Sequence, residues 1–308
     1  MAFLYKADPE RGAEWARLFA ERAPDLPFRI WPDIGDPAEV RYLGVWEPPQ
    51  RLAETFPNLE IVFSLGAGVD QLELTAIPEH IPVVRMVEPG ITDTMAEYVT
   101  LMVLALHRDL ITYIGQQRAR QWQPVRVRPA AQRCVGILGL GALGGAVARR
   151  LTAIGFPCLG WSRSRRAIAG VTCYAGAAEL PVFLHGCQIL VCLLPLTAET
   201  RGFLDRALFA QLPPGAALVN VGRGAHLVAQ DLLDALDSGH LSGAVLDVTE
   251  PEPLPAEHPF WTHPRILLTP HIASMTQPES AVEVVLDNIR KHCAGTPMTG
   301  VVNRRRGY

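Results

Sequence analysis

The sequence predicts an α/β protein built from two parallel-sheet domains, one inserted into the other. Two observations predict the class: short, nearly all-apolar runs alternate with helical segments in two separate series, and a glycine-rich strand-to-helix turn opens the second series only at residue 139. A third predicts the threading. His271 closes the second series and a C-terminal amphipathic helix follows it, so residues 1–98 and 272–308 are expected to form one domain and residues 99–271 the other.

The N-terminal residues read as a first strand. Helical segments at 13–23 and 49–56 then alternate with strands at 42–45, 61–65 and 83–84, bounded by Pro and Gly. A long helix is expected over 95–122, entered through Thr92-Asp93-Thr94 with Glu97 as the capping-box acid, and its length suits a domain connector. The second series runs strand 135–138, helix 143–154, strand 158–161, strand 189–194, strand 217–221, helix 229–238, strand 243–247 and strand 265–268. Its strands are apolar on both faces, as strands covered by helices on both sides must be. Val282, Val285, Leu286 and Ile289 recur at helical spacing over 279–293. The terminal Arg304-Arg305-Arg306 reads as a solvated tail.

Composition excludes several classes. The 308 residues are 49% hydrophobic and 19% charged with a net charge of −3, which rules against disorder and supplies a large core. A chain so balanced has no basic footprint for nucleic acid. The longest uncharged stretch, residues 180–198, is interrupted by Pro181, His185, Gly186, Gln188 and Pro195 and is not a membrane span. The first residues lack a charged leader followed by an apolar run, and the six cysteines match no zinc or redox spacing, so a cytoplasmic, reducing environment is expected. The histidines show no metal-ligand spacing, so no metal is expected.

Chemistry first appears at Gly139-Leu140-Gly141-Ala142-Leu143-Gly144, directly after the strand 135–138. In such a turn the first glycine permits the bend, the second lets the main chain approach a pyrophosphate, and the third lets helix and strand pack closely. About twenty residues on, an NAD site carries an acid that binds the ribose hydroxyls. Here Trp161 is followed by Ser162, Arg163, Ser164, Arg165 and Arg166, a serine and guanidinium groups suited to a 2′-phosphate, so NADPH is the expected cofactor with NADH possible.

Three further groups sit just past strand ends, where ligands bind in open α/β sheets. Arg223 lies between Gly222 and Gly224, Glu252 in Glu250-Pro251-Glu252-Pro253, and His271 in Thr269-Pro270-His271. Hydride transfer to a 2-oxo acid uses these residue types: a guanidinium for the carboxylate, an imidazole that donates a proton to the carbonyl oxygen, and a carboxylate that favours the protonated ring. Glu250 and Glu252 are both within reach of that role. His226, three residues after Arg223, is set aside as a structural histidine.

In order and spacing, these segments resemble the D-isomer-specific 2-hydroxyacid dehydrogenase family over nearly the whole chain. Val45-Trp46-Glu47-Pro48-Pro49, Leu65-Gly66-Ala67-Gly68-Val69-Asp70, Gly155-Phe156-Pro157, Trp161-Ser162-Arg163 and Arg306-Gly307-Tyr308 resemble its bacterial glyoxylate/hydroxypyruvate reductase branch. The resemblance implies two Rossmann-like/flavodoxin-like domains, with the cofactor domain inserted into a discontinuous substrate domain. It implies a dimeric, NADPH-preferring reductase of small 2-oxo acids, glyoxylate to glycolate and hydroxypyruvate to D-glycerate. The catalytic set implied is Arg223, Glu252 and His271, with Glu252 chosen over Glu250 by its distance from Asp247. Substrate binding falls on Trp46, Ala67, Gly68, Arg223 and His271. Cofactor binding falls on Gly139, Gly141, Ala142, Leu143, Gly144, Ser162, Arg163, Ser164, Arg165, Leu194, Pro195, Thr200, Val221, Gly222, Asp247, Ala273 and Ser274. Other readings are another D-2-hydroxyacid dehydrogenase, phosphoglycerate-type or of broad 2-oxo acid range, and a dinucleotide-sensing regulatory protein.

Overall fold

A computed structural model describes residues 1–308, which divide into two units: Met1–Ile91 with Met275–Tyr308, and Thr92–Ser274. In the first unit, the strands β1 (Ala2–Lys6), β2 (Phe28–Ile30), β3 (Val40–Val45), β4 (Ile61–Ser64) and β5 (Val83–Val84) form one parallel sheet in the order β2-β1-β3-β4-β5. That is the flavodoxin-like order. Helix α1 (Pro9–Arg22) starts a turn earlier than the apolar pattern suggests, because polar residues define its start. The Asp8 carboxylate accepts from the Arg11 amide at 2.9 Å, Pro9 sits in the first turn, and Trp15, Leu18 and Phe19 are buried. Phe3 stacks on Phe28 with ring centroids 5.5 Å apart and packs on Phe19 at 4.8 Å, so one aromatic cluster fastens α1 to the sheet. The expected helix 49–56 contracts to α2 (Leu52–Thr55), since Arg51 before it is left-handed at φ 54°.

The second unit holds α4 (Leu110–Arg118), β6 (Val135–Leu138), α5 (Ala142–Ile154), β7 (Cys158–Ser162), β8 (Val171–Ala175), α6 (Gly176–His185), β9 (Ile189–Cys192), α7 (Arg206–Phe209), β10 (Ala216–Asn220), α8 (Ala229–Asp237), β11 (Leu241–Leu246) and β12 (Ile266–Leu268). Most of α3 (Pro89–His107) belongs to it too. The parallel sheet runs β12-β11-β10-β9-β6-β7-β8, a Rossmann-like order whose direction of winding reverses between β6 and β9. Ile189 and Val191 of β9 face one core cluster and Leu190 and Cys192 the other, which is why the strand reads as an unbroken apolar run. Each such fully buried aliphatic side chain stabilises by about 1.5–3 kcal/mol.

The expected helix 95–122 is two helices, broken at Arg108-Asp109 where Asp109 is left-handed at φ 55°. Apolar spacing continues across the break through Leu110 and Ile111, so periodicity alone does not show it. The start also moves, to Pro89, because the buried Glu88 carboxylate accepts from the Gly90 amide and, at 2.9 Å, from the Ile91 amide. The same carboxylate accepts from the Gln277 amide at 3.2 Å and from the Ser280 hydroxyl, at the start of α9 (Pro278–Cys293). One acid thus serves two helix N-termini, where negative charge is stabilising.

The C-terminal arginines are not all a solvated tail. The Arg304 guanidinium donates to the carbonyls of Leu74, Ile77, Pro78 and Ile81 at 2.6–2.9 Å, closing the loop before β5. All six cysteines are free, and burial pushes the thiols of Cys134 and Cys192 up to about 11 and about 12. These thiols stay protonated and unreactive at neutral pH. No helix is long and apolar enough to cross a membrane.

Candidate active site

The glycine turn lies at the carboxyl end of β6, beside the reversal of winding. Gly139 has φ +99°, and a Cβ there would stand 2.6 Å from the Leu193 carbonyl oxygen. At Gly144 a Cβ would stand 1.8 Å from the Gly139 carbonyl oxygen, so helix α5 packs directly on the turn. Gly141 differs from both. A Cβ built on it meets nothing within 4 Å, and no side chain caps the helix it opens. The exposed main chain of Gly141 and Ala142 therefore presents free N–H groups and open space at a helix start, which fits a pyrophosphate. Leu143 follows, half-buried.

At the end of β7 the Ser162 hydroxyl donates to the Ser164 carbonyl at 2.8 Å, and Arg163, Ser164, Arg165 and Arg166 are exposed. Arg165 is paired with Glu179, whose other oxygen accepts from the Ala175 amide at 2.7 Å, so the Arg165 guanidinium is engaged within this unit.

After β9, Leu194 is buried and Pro195 half-buried; the Thr200 hydroxyl donates to the Pro195 carbonyl at 2.7 Å. After β10, Val221 and Gly222 are buried, and Arg223 follows in extended conformation. Its Nη1 donates to the Gly222 carbonyl at 2.8 Å, and the Asn220 side-chain amide donates to the Arg223 carbonyl at 3.1 Å. Gly224 is obligatory: a Cβ there would lie 1.9 Å from the Thr249 carbonyl oxygen. The loops after β10 and β11 are thereby brought into main-chain contact.

The loop after β11 carries the acid. Glu252 Oε1 accepts from the Thr249 amide at 3.0 Å, and Oε2 meets His271 Nδ1 at 2.8 Å. Glu252, rather than the neighbouring Glu250, is the partner of His271. A carboxylate on Nδ1 fixes the ring so that Nδ1–H points to Glu252 and Nε2 is the nitrogen left for another partner. His271 itself is left-handed at φ 54°, and its amide donates to the Asp247 carbonyl at 2.8 Å.

Asp247 holds this conformation. Its buried carboxylate accepts from the Thr269 hydroxyl at 2.6 Å and from the amides of Ile272 and Ala273 at 2.9 and 2.8 Å; Tyr98 bonds to Thr269 in turn. Thr94 and Ser274 share a hydroxyl contact of 3.1 Å. Asp247 and Ala273, expected around the cofactor, are thus bound to each other beneath His271. Tyr98 and Thr269 are the residues that sequence reasoning missed. Their only signal was polarity within otherwise apolar segments.

In the first unit, Ala67 and Gly68 lie in the half-buried loop after β4. The Ser64 hydroxyl donates to the Gly68 carbonyl at 2.8 Å, and the Gln71 amide donates to Ser64 at 3.1 Å. Trp46 leans on this loop: a Cβ at Gly66 would be 2.9 Å from its ring.

Fold and site together define a dinucleotide-binding α/β protein with a histidine–carboxylate couple and an arginine at its strand ends. The chain belongs to the D-isomer-specific 2-hydroxyacid dehydrogenase family, whose NAD-binding domain matches residues 100–273. It is 41% identical to a glyoxylate/hydroxypyruvate reductase A of Yersinia enterocolitica and 43% identical to one of Serratia proteamaculans, with 96% of both chains covered in each comparison. Among solved structures it is similar to a D-isomer-specific 2-hydroxyacid dehydrogenase of Xanthobacter autotrophicus in complex with NADPH and MES. There the TM-score is 0.95 and identity 42%, over 100% of this chain and 99% of that one. It is also similar to an NADPH-dependent glyoxylate/hydroxypyruvate reductase of Sinorhizobium meliloti in complex with NADP and sulfate, with TM-score 0.92 and identity 36% over the full length of both chains.

Proposed function

We propose that the protein is a cytoplasmic, NADPH-dependent reductase of small 2-oxo acids, converting glyoxylate to glycolate and hydroxypyruvate to D-glycerate. The observation that carries this reading is the 2.8 Å bond between His271 Nδ1 and Glu252, which leaves Nε2 as the one ring atom able to hand over a proton. Bound NADPH supplies the hydride for the keto carbon. The chain's own groups do the rest. His271 Nε2–H donates to the oxygen that becomes the hydroxyl, Glu252 stabilises the charged ring, and the Arg223 guanidinium, oriented by its bond to the Gly222 carbonyl, holds the substrate carboxylate. In the first unit, Trp46 and the main chain of Ala67 and Gly68 are the proposed substrate contacts. Gly139, Gly141, Ala142, Leu143 and Gly144 take the pyrophosphate. Ser162, Arg163 and Ser164 take the 2′-phosphate, with Arg165 reaching it only by leaving Glu179. Leu194, Pro195, Thr200, Val221, Gly222 and Ser274 line the rest of the cofactor. Asp247 and Ala273, assigned to the same site, act by holding the loop that carries His271.

Steady-state kinetics with NADPH and NADH on a panel of short 2-oxo acids tests the reading. Turnover of glyoxylate and hydroxypyruvate with kcat/KM at least about 10-fold higher for NADPH is expected, the worth of one charge-assisted contact to the 2′-phosphate. No oxidation of either cofactor would refute a reductase and favour a dinucleotide sensor. Preference for NADH would refute the role given to Ser162–Ser164.

The reading includes a homodimer. Trp122 is 100% exposed, and Val125 and Val127 are exposed beside it in the non-helical segment after α4. Apolar side chains so displayed in one short segment mark an interaction surface. Trp122→Glu is expected to shift the molar mass measured by light scattering from two chains towards one, while a dimer unchanged by the substitution would place the interface elsewhere.

A further inference from the structure

His226 does not belong to the expected catalytic set, and its place in the fold is unlike that of a passive core histidine. It is fully buried, in a short turn directly after Arg223. Both ring nitrogens are used. Nδ1 accepts the Arg223 main-chain N–H at 3.0 Å, and Nε2 lies 3.3 Å from the Pro195 carbonyl. A nitrogen that accepts an N–H carries no proton, so the ring is neutral with its hydrogen on Nε2, and that hydrogen is donated to Pro195.

The two partners lie on loops from different strands. Pro195 follows β9 and Arg223 follows β10, neighbours in the sheet at the carboxyl ends where the site is built. Other bonds set the turn firmly: the Gly202 amide donates to the Ala225 carbonyl at 2.9 Å and the Leu204 amide to the His226 carbonyl at 2.8 Å. A Cβ at Gly222 would come within 2.9 Å of Nδ1, so the ring is seated against bare main chain.

We propose that His226 is a positioning residue for Arg223: its Nδ1, left unprotonated because Nε2–H is given to Pro195, accepts the Arg223 N–H and so fixes the main chain from which the substrate-binding guanidinium projects. This rests on the proposed function above, since it assigns Arg223 to the 2-oxo acid carboxylate. A bidentate guanidinium contact is sensitive to displacement of its Cα, and misplacement by about 1 Å can cost on the order of 100-fold in rate. The expected signature is therefore in substrate handling rather than in cofactor affinity.

Two isosteric substitutions separate the two ring bonds. In His226→Asn the side-chain oxygen takes the place of Nδ1 and can still accept from Arg223. In His226→Gln the amide nitrogen takes the place of Nε2 and can still donate to Pro195, but Arg223 loses its acceptor. His226→Gln is expected to raise KM for glyoxylate by about 10-fold, the worth of one buried hydrogen bond, with the NADPH dissociation constant from fluorescence titration within about 3-fold of wild type. His226→Asn is expected to keep both within about 3-fold. Equal KM values for the two variants, or a loss falling on NADPH affinity alone, would overturn the proposal.

A readout independent of turnover comes from nitrogen-15 labelled histidine. The signal absent from the His226→Asn spectrum must be a neutral ring protonated on Nε2. A charged ring, or one protonated on Nδ1, overturns the proposal. Wild-type protein that turns over neither substrate would remove the proposed function and leave this spectrum to decide the geometry.

Discussion

His271→Asn is expected to lower kcat by about 100- to 10,000-fold, the range that positioned proton transfer contributes, with NADPH affinity unchanged. Asparagine is the informative substitution because His271 is left-handed at φ 54°. Asparagine tolerates that conformation better than most residues, so the bond from the residue 271 amide to the Asp247 carbonyl can persist. The Asp247 bonds to Ile272 and Ala273 remain as well, which keeps the loop in place. What disappears is the imidazole Nε2. A single-turnover measurement with saturating NADPH and glyoxylate reads the hydride step directly, and a rate within about 10-fold of wild type would show that the proton comes from another group.

Gly144→Ala should damage the fold and the cofactor site together. The added methyl would lie 1.8 Å from the Gly139 carbonyl oxygen and 3.0 Å from its carbon, both main-chain atoms. No side-chain rotation relieves that contact, so α5 must move off the turn. Overpacking of this kind costs about 1–3 kcal/mol or more, measurable as a lower midpoint in urea. NADPH affinity should fall by at least about 10-fold, because the helix start that meets the phosphates moves with it. Gly141→Ala is the companion experiment. Its methyl meets nothing within 4 Å, and the φ of −74° suits alanine, so stability should stay within about 0.5 kcal/mol of wild type. Affinity for NADPH should still drop, because the methyl occupies the space through which the pyrophosphate approaches. A Gly141→Ala protein that binds NADPH as wild type does would place the phosphates elsewhere.

The parts of this protein legible in its sequence are those where one physical demand dominates. β6, β9 and β10 are covered on both faces, so their apolar runs announce them. Gly139 and Gly144 announce the turn because each answers a steric requirement of the fold, a positive φ at the first and close helix packing at the second. Edge elements were harder to see. β8 is half-exposed along its length and α6 contains Pro181, so neither carries a clean pattern. The break at Asp109 was hidden because the apolar spacing runs through it. Polar groups acting at long range in sequence were invisible: Arg304 reaches carbonyls 223–230 residues back, and Asp247 binds a segment 22–26 residues on. His226 shows the same limit at short range. Its position beside Arg223 was plain, but which atoms its ring joins depends on where β9 delivers Pro195.

The chain crosses between its two units twice, after Ile91 and after Ser274. Gly90 and Ile91 on one side and Gln277 and Ser280 on the other all bond to the Glu88 carboxylate. The two ends left in the first unit by removing residues 92–274 would therefore already be neighbours. Such a junction accepts an inserted domain without rearranging its host, as insertion sites with adjacent ends do. The discontinuous layout thus asks for no detour of its host: the flavodoxin-like sheet is complete within residues 1–91, and one buried acid ties together the points where the chain leaves and re-enters.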